Sequence, residues 1–173
     1  MDELRSFPGA VAEASVVGGK AAALMHMAAA GLPVPPGEVL TTAFFAPWFA
    51  QIQRGEAWAR VCASEPQDWA QLCPALEPVV AALELDPRQR EVLSALEREL
   101  EQAFDGQLFA VRSSSPQEDL GGASFAGGYA TVLGVPREDL EPALRRCFAS
   151  SPTPGSCTTN TPRASTPSRR ASR

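Results

Sequence analysis

Two groups of residues have the types and spacing to do chemistry. In the first, Gly18-Gly19-Lys20 opens a run from Ala21 to Ala30 made almost wholly of strong helix formers and closed by Gly31-Leu32-Pro33. A glycine turn leading into a helix presents backbone N–H groups at the positive end of the helix dipole, and a lysine in the first turn adds a mobile positive charge beside them. In outline this is a site for phosphate. Its spacing is not that of a Walker A loop, and a plain helix start with a solvated lysine is the alternative reading. In the second group the apolar run Leu108 to Val111 ends at Arg112, followed by Ser113, Ser114 and Ser115 and then by a loop of small residues from Gly121 to Gly128. A guanidinium fixed at a strand end, facing serine and backbone donors, can hold phosphate oxygens. The competing reading is a structural ion pair between Arg112 and Glu118 or Asp119.

The elements that must position these groups can be read along the chain. The spacing predicts a helix of about three turns after Gly19 with a glycine stop. A short strand is expected at Glu38 to Thr41, with Thr41 or Thr42 capping a helix through Phe44, Phe45, Trp48 and Phe49, an aromatic set at core spacing. Helices are expected from Trp69 to Leu83 and from Asp86-Pro87 through Val92, Leu93, Leu96, Leu100 and Phe104, the latter with an acidic solvated face. Leu108 to Val111 reads as a buried strand, Tyr129 to Val135 as a strand and Arg137 to Ala149 as a helix. Mixed helices and strands place the fold in the α/β or α+β class.

Composition narrows the function. The 173 residues allow one ordinary domain, or one with an appended tail. Residues 1–150 carry all 20 acids and 11 of the bases, a balance of −9, whereas residues 151–173 carry four Arg and no acid. Eighteen of those last 23 residues are Ser, Thr, Pro or Arg and none is Leu, Ile, Val or Phe, so they are expected to be disordered. Four arginines without interleaved aromatics make a poor nucleic-acid arm. No apolar stretch approaches the roughly 18–20 residues of a membrane span, and no signal peptide is visible, which makes the cytoplasm the expected location. Cys62, Cys73, Cys147 and Cys157 are too far apart for a zinc knuckle or a redox pair; they are expected as free thiols, the first three partly buried. His26, the single histidine, reads as a packing or surface residue.

The strings GGKAAALMHMAAAGLPVPPGEVLTTAFF and FAVRSSSPQEDLGGASFAGGYATVLGV, in this order, resemble the start of the nucleotide-binding domain shared by phosphoenolpyruvate synthases, pyruvate phosphate dikinases and rifampicin phosphotransferases. The resemblance covers about residues 10–150 and implies the first half of an ATP-grasp fold. It implies ATP as the ligand, with Lys20 and Arg112 on its phosphates and Gly127 and Thr131 beside the nucleotide. Where many members read VRSSATAEDL this chain has VRSSSPQEDL, which keeps the Arg and the Glu-Asp pair. The family enzymes move the β,γ portion of ATP to a histidine and then pass phosphoryl to pyruvate or another acceptor. Their magnesium ligands and phosphohistidine lie beyond the matched stretch, and His26 does not correspond to that histidine. The chain is therefore expected to be a truncated ATP-binding portion, inactive alone, needing Mg²⁺ only as part of the complete enzyme. The alternative is a stand-alone module that binds nucleotide or a separate chain carrying the rest. Read one base earlier, the codons of the 151–173 segment also permit strings resembling a family continuation, so a frame-shifted tail is a further expectation.

Overall fold

The computed structural model describes residues 2–65, 68–104, 106–114 and 130–149. Expectations that fall on residues 115–129, including Gly127 and the Glu118/Asp119 pair, and on residues 151–173 with Cys157, lie outside the described residues.

The longest helix among the described residues is α7, Pro87–Ala103, numbered in chain order. The Asp86 carboxylate accepts from the Gln89 N–H at 2.7 Å and the Gln89 side chain accepts from the Asp86 N–H at 3.0 Å, a reciprocal capping box with Pro87 at the first helical position. The buried Gln89 also donates through Nε2 to the Phe44 carbonyl at 2.8 Å, which ties the start of α7 to α3, Thr42–Gln53. From α7, Val92, Leu93, Leu96 and Leu100 enter the main core at helical spacing; from α3 come Phe44, Trp48 and Ile52.

An aromatic cluster joins α3 to α8, Leu140–Ala149. Phe45 stacks on Phe148 with centroids 5.3 Å apart, and Trp48 meets Phe148 edge-on at 4.9 Å. The Trp48 indole donates to the Glu84 carbonyl at 2.8 Å, so its polar end is satisfied inside the core. Arg145 lies over the Trp48 ring, donates to the Leu83 carbonyl and pairs with Glu141.

Two antiparallel strand pairs complete the framework. In the first, β1 (Leu4–Phe7) pairs with β2 (Gly37–Leu40), with Leu4 opposite Leu40 and Phe7 opposite Gly37. The alternation of side chains sends Leu4 and Leu40 to the main core, whereas Phe7 and Val39 pack on a second, smaller cluster. That cluster is built from Val17 of α1 (Ala14–Val17) and Ala21, Ala22 and Met25 of α2 (Gly19–Ala29). In the second pair, β3 (Phe109–Arg112) lies against β4 (Thr131–Val135), with Arg112 opposite Thr131 and a register shift between Phe109 and Val111. The shift changes the alternation so that Val132 and Val135 both join Phe109 and Val111 against the core. Ala110, Arg112, Thr131 and Leu133 are left on the exposed side.

The mixed α/β class agrees with expectation, and several local details do not. The single helix expected over 69–83 is three short pieces, α5 (Trp69–Leu72), a 3₁₀ turn (Cys73–Leu76) and α6 (Glu77–Ala81). Pro74 and Pro78 each start a new segment because they lack the N–H that would continue the previous one. Thr41 stands at the start of α3 without capping it; its hydroxyl donates instead to the Asp2 carbonyl at 2.8 Å, fastening β1 to the end of β2. Leu108, expected inside a buried strand, is 67% exposed. Cys147 is buried and Cys73 half-buried as free thiols, but Cys62 is exposed at the end of α4, Glu56–Cys62.

Candidate functional site

The glycine turn and the serine run, far apart in sequence, meet in space. Gly18 has φ +81° and ψ 163°, a conformation open essentially to glycine alone. A Cβ at Gly18 would lie 1.9 Å from the Ser114 carbonyl oxygen and 2.4 Å from its hydroxyl, so the absence of a side chain is what lets the two segments touch. The Ser114 hydroxyl then accepts from the Ala21 N–H at 3.0 Å. That donor belongs to the first turn of α2 and has no carbonyl partner within the helix. The next N–H, of Ala22, already bonds to the Gly18 carbonyl.

Lys20 is the second residue of α2 and is half-buried. Arg112 is the last residue of β3, is exposed, and stands directly across the strand pair from Thr131, which is also exposed. Arg112 and Ser114 are two positions apart, a reach of at most about 7 Å. The contact with Gly18 therefore brings the backbones of Lys20 and Arg112, and Thr131 with Arg112, into one neighbourhood. Gly127 is outside the described residues. His26 is exposed on α2, a surface position.

The three residues at the strand end play different parts. Arg112 faces outward. Ser113, 8% exposed, turns inward, and its hydroxyl has no hydrogen-bond partner among the described residues. Behind it the buried Cys147 thiol donates to the Val111 and Ala130 carbonyls at 3.3 and 3.6 Å, and burial pushes that thiol up from its ordinary pKa. Ser114 turns to α2. Its contact escapes sequence reasoning. A Gly-Gly pair and a serine run are both visible, but nothing local states that the second fills the space left by the first.

Among the described residues, no group of three or more His, Cys, Asp or Glu side chains is placed to hold a metal ion. The chemistry open to Lys20 and Arg112 is electrostatic. No described helix is long and apolar enough to cross a membrane.

Comparison with known proteins bears on this arrangement. Residues 14–161 match the family described as pyruvate phosphate dikinase, AMP/ATP-binding domain. The chain belongs to this family. Its relatives include a probable phosphoenolpyruvate synthase of Methanothermobacter thermautotrophicus, 29% identical over 145 residues that make up 80% of this chain and 21% of that protein. A phosphoenolpyruvate synthase of Pyrococcus furiosus is 29% identical over 174 aligned residues, covering 78% of this chain and 21% of the relative. A rifampicin phosphotransferase of a Streptomyces species is 35% identical over 140 residues, 78% of this chain and 16% of the relative. The chain spans about a fifth of the length of these proteins. The dikinase-family match opens at α1, just ahead of the glycine turn, and takes in both the Lys20 and the Arg112 segments.

Proposed function

We infer that the chain is the ATP-binding portion of an ATP-dependent phosphotransferase of the phosphoenolpyruvate synthase and pyruvate phosphate dikinase type, and that Lys20 and Arg112 are its phosphate-binding cations. The observation that carries this reading is the Gly18–Ser114 contact, which joins the glycine turn to the arginine strand inside the stretch that matches an AMP/ATP-binding domain. A lysine and an arginine converging on a triphosphate neutralise its oxygens and hold it in place; in phosphoryl transfer such positioning is most of what protein side chains contribute. Thr131, opposite Arg112, and Gly127 are assigned to the wall beside the nucleotide.

The reading extends to the first half of an ATP-grasp fold acting in the cytoplasm, with magnesium, the phosphohistidine and the acceptor site supplied from outside the described residues. A longer form of the protein or a separate chain would carry them. With the phosphohistidine and the acceptor site supplied from outside, ATP binding is expected without turnover.

Calorimetric titration of the 173-residue chain with ATP and Mg²⁺ tests the reading. Saturable binding that falls about tenfold or more in Arg112→Ala is expected for loss of a charge-assisted contact. Absence of binding by the folded chain, or equal binding by Arg112→Ala, overturns it.

A further inference from the structure

Lys20 and Arg112 are carried by different parts of the fold. Lys20 lies on α2, whose buried residues Ala21, Ala22 and Met25 belong to the small cluster with Val17. Arg112 ends β3, whose Phe109 and Val111 pack on the main core. The β1–β2 pair touches both clusters, and the Thr42 hydroxyl donates to the Ser15 carbonyl at 3.1 Å, but these ties reach α1 and the flank of α2. From the end of the arginine strand, Ser114 makes a side-chain hydrogen bond into the first turn of α2, across 93 residues of sequence.

We propose that Ser114 is a positioning residue that sets the Lys20 helix against the Arg112 strand, so that both cations address one phosphate chain. The proposal rests on the nucleotide-binding reading above and adds to it a residue that need not touch the nucleotide. Three features converge on Ser114. Its carbonyl and hydroxyl occupy the space a Gly18 Cβ would need. Its hydroxyl satisfies the Ala21 N–H, one residue beyond Lys20. Its backbone lies two residues from Arg112, too short a link for the arginine to move independently. The hydroxyl is thus a joint between two apolar clusters that also share the β1–β2 pair. Removing it frees the Ala21 N–H, loosens the first turn of α2, and lets the distance between the cations vary.

The neighbouring Ser113 is the internal control, because its buried hydroxyl has no partner among the described residues. ATP affinity, with Mg²⁺, is measured by calorimetry on the full chain and on Ser114→Ala, Ser114→Cys, Ser114→Thr and Ser113→Ala, with urea unfolding of each as the check on folding. Ser114→Ala is expected to lose about 5- to 10-fold in affinity, the worth of one hydrogen bond, with Ser113→Ala unchanged. Ser114→Thr, which keeps the hydroxyl, should recover the wild-type value. Ser114→Cys, of similar size with a weak acceptor, should fall between and supplies the answer if the alanine variant does not fold. Arg112→Ala should cost less in the Ser114→Ala background than in wild type, since a displaced arginine has less to lose.

Wild-type affinity in Ser114→Ala and Ser114→Cys, or losses that simply add to that of Arg112→Ala, overturn the proposal while the nucleotide-binding reading stands. A folded wild-type chain that binds no ATP overturns the reading, and the proposal with it.

Discussion

Replacing Gly18 with alanine tests the close approach on which the site depends. The substitution places a Cβ on a residue at φ +81° and ψ 163°, where side-chain-bearing residues are strained by about 1–3 kcal/mol. The same Cβ lies 1.9 Å from the Ser114 carbonyl oxygen, and a backbone atom cannot swing aside as a side-chain tip can. Recovering ordinary contact at 3.4 Å needs a retreat of about 1.5 Å, enough to lengthen the 3.0 Å bond from Ala21 past useful range, a loss of about 1 kcal/mol. Together these give a destabilisation of about 2–4 kcal/mol, a substantial part of the usual 5–15 kcal/mol of a domain. Gly31 separates the two contributions, because it has φ +77° and an added Cβ there would meet nothing within 4 Å. Gly31→Ala should therefore cost only the backbone part, about 1–2 kcal/mol. Urea unfolding followed by the fluorescence of buried Trp48 and Trp58 reads both variants. With slopes of about 1–3 kcal/mol per molar urea, the Gly18→Ala midpoint should fall by about 1–2 M, and further than that of Gly31→Ala. Equal midpoints for the two variants would refute the steric argument.

Three other outcomes follow from the structure. Asp86→Ala removes the carboxylate that caps α7 and should cost about 1 kcal/mol in the same unfolding assay, with the helix otherwise retained by circular dichroism. Glu38, half-buried on β2, is held above the ordinary carboxylate range by burial, reinforced by the negative charge of Glu99 and opposed by the hydrogen bond from Ser6. Its folded-state pKa lies above the unfolded one, so the native state loses stability as pH rises through that interval; Glu38→Gln should be the more stable protein at neutral pH, with the difference closing below about pH 4. Alkylation at about pH 8, mapped by peptide mass, should modify the exposed Cys62 readily and the buried Cys147 about 10³-fold more slowly or less, at a rate that follows unfolding.

The parts of the fold that are legible in the sequence are those whose determinants are local. The α7 start is written in Asp86-Pro87 and Gln89, all within one turn, and α2 follows from a glycine turn and a run of alanines. The helix expected over 69–83 shows the converse: apolar periodicity runs on through Pro74 and Pro78, whose missing N–H groups divide it. The strand β1 has no local signature, because LRSF has little β character of its own and is held by its partner Gly37–Leu40, some thirty residues later. Thr41 has the right residue type for a cap, but the Asp2 carbonyl arriving from β1 competes for its hydroxyl and wins. At the proposed site, Lys20 and Arg112 can be picked out by type, since each follows a local pattern. Their joint cannot, because it is a van der Waals fit between Gly18 and Ser114 that no window of sequence contains.

That joint has a consequence for the order in which the molecule assembles. Closing a loop of 93 residues costs about 4 kcal/mol of chain entropy at 25 °C before the contact returns anything, and one hydrogen bond cannot meet that alone. The α7 cap spans three residues and forms early by comparison. The main core, whose Phe45–Phe148 pair closes a longer loop still, offsets that cost with many apolar contacts, so α2 is expected to dock onto the strand end once that core is in place. A partly unfolded chain with that core in place leaves Lys20 and Arg112 uncoupled, and on the proposed reading competence to hold a triphosphate arrives only with this contact.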